Sequence, residues 1–328
     1  MPLLFSPRIT TTTFQGFSQQ APPKMPHRDP LTMLLPHNTG YFPLSLDNVA
    51  DKFSKHLATL SKRGRHRVLV GDLDYAGLPG KIYTPAEGNG LPAIVFAHDW
   101  LKDISVYHVT LRHLASWGFV VAAPNTEKGF SPNHRGFAAD IETSLQILTG
   151  VKLGSGNITV APGRLGIVGH GMGAGAAVLA AANRPQLAAV AALYPSQTTP
   201  SAEVASRGVE APGLVVGTED NALFDYGNAA KLAAQWKGDV AYREIDGASH
   251  NTITEDTLFK LVTGQGRSKA ALREKIRGLV TGFLLHRLSH ENKYSAFSEP
   301  EAESKKITSY WGDALEKRAL VTADPEAI

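Results

Sequence analysis

Between residues 92 and 245 the sequence alternates continuous apolar runs with stretches of helical periodicity, and this alternation constrains the fold more than any other feature. Two of the runs are Ala93-Ile94-Val95-Phe96 and Phe119-Val120-Val121-Ala122-Ala123. Further strand-like segments fall at 66–70, 80–84, 165–168, 190–194, 214–216 and 240–245. A strand that is apolar on both faces needs helices over both, which is the environment of a parallel sheet. Helical patterns at about 105–117, 134–149, 172–183, 227–237 and 253–263 lie between or after these runs. The expectation is an α/β fold, a mostly parallel twisted sheet with helices on both faces. Segments 66–70 and 80–84 have no helix between them and are expected to form an antiparallel edge.

Around this body the pattern changes. Residues 1–44 are rich in Pro and Thr, with Pro22, Pro23, Pro26, Pro30, Pro36 and Pro43 forbidding long helices, and read as an extended arm. Leu46, Val49, Phe53 and Leu57 recur at helical spacing and open the domain, 45–289, with Gly64 ending that helix. A last helix over about 268–288 places Leu272, Ile276, Leu279, Phe283 and Leu284 on one face. Residues 290–328 read as a polar tail with one short helix near 311–320.

Composition narrows the chemistry. With no cysteine in 328 residues, disulfides, thiolate zinc sites, iron–sulfur clusters and cysteine nucleophiles are excluded. Lys and Arg number 33 against 30 for Asp and Glu, and the net charge of +3 is spread along the chain, which argues against nucleic acid as a partner. No apolar stretch is long enough for a transmembrane helix. Pro7 and Arg8 interrupt the start where a signal peptide needs its apolar core, so the sequence-based expectation is a cytoplasmic protein.

The chemically informative motif is Leu165-Gly166-Ile167-Val168 running into Gly169-His170-Gly171-Met172-Gly173, which opens an Ala-rich helix. Strand, glycine turn and helix in this order serve either phosphate binding or a nucleophile elbow of the form G-x-S-x-G. The glycines are out of phase with G-x-G-x-x-G, no Lys-Ser/Thr follows, and the turn comes late in the strand series. A nucleotide cofactor is therefore not expected, and neither is any other. His286 and His290 stand one helical turn apart near Glu291 but lack the H-E-x-x-H pattern, and read as a solvated helix end, with no metal expected.

From about residue 65 to 287 the chain resembles the α/β-hydrolases, nearest to the branch of dienelactone hydrolases, cutinase-like polyester hydrolases and chlorophyllases. The phrases that carry the likeness are AIVFAHDW at 93–100, LASWGFVVAAP at 114–124, GHGMG at 169–173 and GASH at 247–250. The resemblance implies a nucleophile at position 171, where this sequence has Gly171. Glycine has no atom with which to attack a carbonyl, so an acyl-enzyme cannot form there. The resemblance further implies His250 as general base and an acid in the segment Thr218-Glu219-Asp220-Asn221, where Asp220 is the candidate and Asn221 the alternative occupant. His98, Asp99 and Trp100 fall in the oxyanion region, and Met172 is expected to give the second backbone N–H. His170 is expected beside the pocket, while Ser196 and Ser249 are the nearest serines that could stand in for the nucleophile. These expectations favour a non-catalytic pseudo-hydrolase that binds a small ester, a lipid-like ligand or a protein partner. The alternative is an unusual carboxylic-ester hydrolase, using water activated by His250 or a displaced nucleophile.

Overall fold

The computed structural model describes residues 46–218, 227–255 and 266–320, all within one unit, Leu44–Ile328. Expectations for the arm at 1–44, for Asp220 and Asn221, and for the helical pattern at 253–263 beyond residue 255 lie outside the described residues. Among the described residues nine strands form one sheet: β1 Val68–Asp72, β2 Gly80–Pro85, β3 Gly88–Ala97, β4 Val120–Pro124, β5 Ile158–His170, β6 Ala189–Leu193, β7 Gly213–Gly217, β8 Val240–Ile245 and β9 Ile307–Tyr310. Their order is β1-β2-β4-β3-β5-β6-β7-β8-β9. β1 and β2 make the expected antiparallel edge, β4 and then β3 to β8 run parallel to one another, and β9 closes the far edge antiparallel to β8.

The helices are α1 Leu46–Leu60, α2 His108–Ser116, α3 His134–Gly150, α4 Met172–Ala181, α5 Ala202–Ala205, α6 Ala229–Ala234, α7 Gly266–Arg287 and α8 Gly312–Leu320. They cover the sheet on two faces, and the alternation along β3 shows why the apolar run is continuous. Ile94 and Phe96 join the core under α1, α2 and α7, whereas Ala93, Val95 and Ala97 join the core under α3, α4 and α6. Among the described residues no helix is long and apolar enough to cross a membrane.

Two features go beyond the sequence pattern. Ile307-Thr308-Ser309-Tyr310 is a strand, with Ile307 and Ser309 turned inward. Arg243, in the middle of β8, is fully buried and donates to the carbonyls of Glu299 and, at 2.7 Å, Pro300. Burial pushes its pKa down to about 10, so it remains a cation holding the segment before β9.

Candidate active site

Adjacent parallel strands place the reactive loops side by side. β3 and β5 pair in parallel with Ala97 opposite Gly169, so His98-Asp99 and His170-Gly171 leave the same sheet edge as neighbours. Gly171 forms the turn into α4 with φ +56° and ψ −119°, a backbone that strains any L side chain. At Gly173 a Cβ would collide with the carbonyls of Ala97 and His98, so the helix can lie this close to the β3 loop only with glycine there. His250 follows β8 in a short turn in which the Ser249 N–H donates to Thr252 Oγ1 at 2.7 Å.

The central finding is the position of Asp99. Its Oδ2 accepts from His250 Nε2 at 2.7 Å, and its Oδ1 accepts from the Met172 N–H at 2.9 Å. A Cβ built on Gly171 would overlap this carboxyl, with even the more distant Oδ2 at 2.9 Å. Asp99 therefore fills the space that a side chain at position 171 would need. Burial works against its charge, but the His250 hydrogen bond, the His170 and His250 rings and the Met172 N–H together hold its pKa well below the usual carboxylate range. Asp99 and His250 are 6% and 9% exposed, so the pair is almost enclosed.

A ring of hydrogen bonds supports the pair. The Asp99 N–H donates to Tyr107 Oη at 3.1 Å, and Tyr107 Oη lies 2.8 Å from His170 Nδ1. His170 Nε2 lies 2.8 Å from the His250 carbonyl, which can only accept, so Nε2 carries the proton. Burial, the first cause, pushes the His170 pKa down to about 4, leaving a neutral ring whose Nδ1 accepts from Tyr107. The ring thus runs from the Asp99 backbone through Tyr107 and His170 to the His250 backbone, and returns through the Asp99 carboxylate.

Asp99, His170 and His250 offer ligand atoms within 4.8 Å of one another. A metal would need a free lone pair on His170, but one nitrogen is a donor and the other accepts from Tyr107, so the donor set does not fit a cation.

The remaining expected residues are dispersed. His98 is buried between the carbonyls of Asp99 and Thr126, 2.8 Å from each, and ties the β3 loop to the end of β4. Trp100 points outward, 41% exposed, donates from Nε1 to the Phe130 carbonyl at 3.1 Å, and packs at a tilt against the Phe130 ring. The Ser249 hydroxyl lies 3.3 Å from Thr252 Oγ1, and the Ser196 N–H donates to the Gly171 carbonyl. Neither contact brings a serine hydroxyl to His250. His286 Nδ1 pairs with Ser298 Oγ at 2.8 Å. Thr218, the last described residue before Asp220, donates to the Ala248 carbonyl at 3.2 Å, joining the end of β7 to the His250 loop. Tyr107 is the residue sequence reading missed: it falls at the start of the helical pattern expected over about 105–117, and its signal was an aromatic hydroxyl near the β3 loop.

The sheet order and the elbow between β5 and α4 place the protein among the α/β-hydrolases. More narrowly, the chain belongs to the PET hydrolase-like family, whose model matches residues 62–262. It is 29% identical over 185 residues to a cutinase of Thermobifida alba, an alignment covering 55% of this chain and 60% of that protein. It is 34% identical over 177 residues to a bis(hydroxyethyl) terephthalate hydrolase of Streptomyces coelicolor, covering 52% of this chain and 54% of that protein. The chain thus spans little more than half the length of these relatives.

Proposed function

We propose that this protein hydrolyses carboxylic esters with water as the attacking group and His250 as the base. One observation carries the reading. The Asp99 carboxylate bridges the His250 Nε2 and the Met172 N–H in front of Gly171, so these two groups stand a carboxylate's width apart. A group with one oxygen on each donor has the layout of an ester carbonyl and the water that attacks it. With Asp99 displaced and the His250 proton held on Nδ1, water would form the new C–O bond and pass its proton to the freed His250 Nε2, while the carbonyl oxygen takes negative charge on the Met172 N–H. His250 would then protonate the departing alkoxide, releasing acid and alcohol. Asp220 remains the proposed acid partner of His250.

The relatives named above as a cutinase and a terephthalate-ester hydrolase support ester chemistry over a purely binding role. Without a covalent intermediate the rate should be low, since binding and oxyanion stabilisation alone leave roughly 10³–10⁴-fold over water in serine-protease precedents. A second reading, binding of an ester-like or protein ligand without turnover, is favoured only by the bare Cα at Gly171. Release of p-nitrophenol from p-nitrophenyl butyrate separates the two. The expected result is slow turnover that falls about 10²–10⁴-fold in His250→Ala. A rate equal in wild type and His250→Ala would refute the hydrolase reading.

A further inference from the structure

We infer that the space in front of Gly171 is a binding site for small monocarboxylates, and that Asp99 occupies it as an internal ligand in the resting protein. Both carboxylate oxygens of Asp99 rest on groups at the mouth of the elbow. One is on the Met172 N–H at 2.9 Å and the other on His250 Nε2 at 2.7 Å. These are the two donors that the acid product of ester hydrolysis would use, since its carbonyl oxygen and its newly added oxygen occupy the same two places. The chain supplies this carboxylate from a neighbouring loop, and only because position 171 has no side chain to exclude it.

Asp99 is better placed as an occupant than as an attacking group. With Oδ1 on the Met172 N–H, the donor that an ester oxyanion requires is already taken. Carboxylate attack on an alkyl ester would also give a tetrahedral adduct from which carboxylate leaves far more readily than alkoxide, so the adduct returns to ester before an anhydride forms. Substrate and product must instead compete with Asp99, which is tethered at high effective concentration. The consequence is a site that binds free acids weakly and resists inhibition by its own product.

This inference rests on the hydrolase reading for its consequence but is read by binding, so the two fail separately. Benzoate is titrated by calorimetry into the full chain, into Asp99→Ala and into Asp99→Asn, with thermal melts confirming that each is folded. Asp99→Ala is expected to bind benzoate at least tenfold more tightly than wild type. Asp99→Asn keeps an oxygen for Met172 and is expected to fall between. Adding His250→Ala to Asp99→Ala should reverse the gain. In esterase assays Asp99→Ala should gain rate and become sensitive to benzoate. Equal benzoate affinity in all three proteins, or loss of hydrolysis in folded Asp99→Ala, would overturn the inference. An inactive wild type that still shows the tenfold difference would refute the hydrolase reading alone.

Discussion

At Gly171 two constraints act on the same atom position: the backbone, at φ +56°, disfavours an L side chain, and the Asp99 carboxyl fills the space beyond Cα. Reinstating a serine is therefore not a simple repair. Gly171→Ser alone is expected to cost about 1–3 kcal/mol in backbone strain and to displace Asp99, lowering the melting temperature without gain of esterase activity. The double variant Gly171→Ser with Asp99→Ala removes the collision and should gain labelling by a fluorophosphonate probe that wild type lacks. Labelling of the single variant to the same extent would show that Asp99 yields freely. Tyr107 is the second residue on which the site depends, because it accepts from the Asp99 backbone and donates to His170. Tyr107→Phe deprives two buried groups of that partner and should cost about 1–3 kcal/mol in denaturant unfolding. None of this was legible from the sequence. GHGMG announced an empty elbow, but nothing in AIVFAHDW says that its aspartate turns inward onto that elbow rather than lining the mouth.

The elements were more legible than the contacts between them. Five strands in the middle of the sheet, β3 to β7, carry continuous apolar runs because helices cover both faces, and that burial is written directly into composition. β9 was not, since four residues with two polar side chains resemble a tail, and only pairing with β8 makes them a strand. The cue that links the two is Arg243, a cation inside an otherwise strand-like run, which packs against the chain leading into β9 through the carbonyls of Glu299 and Pro300. Arg243→Met keeps the apolar stem and removes the donors. It should destabilise the protein by about 1.5–3 kcal/mol, and hydrogen exchange should rise first in residues 299–310. Protection that falls uniformly across the sheet would argue against a local role for Arg243.

Over the whole molecule, acid sensitivity follows from histidines buried in neutral form. His170 in the site and His113 in α2, 3.2 Å from Thr281 Oγ1 of α7, both have pKa values pushed down to about 4, first by burial. Their unfolded value is 6.5, so between these limits the unfolded chain binds more protons than the native one. Both groups therefore favour the native state above pH 6.5, and that advantage is lost as pH falls toward 4. Each contributes up to about 1.4 kcal/mol per pH unit, on the order of 3 kcal/mol over the window. Asp99 acts in the same direction only at lower pH, because its depressed pKa keeps it ionised until well below the ordinary carboxylate range. Urea midpoints measured from pH 7 to pH 4.5 should fall steadily, and His113→Gln should remove about one proton's worth of that slope while leaving the site intact. Protonation of His170 additionally breaks its acceptor bond from Tyr107, so ester turnover should decline over the same range in both proteins. A pH-independent midpoint would show that these histidines are solvated or already charged in the native state.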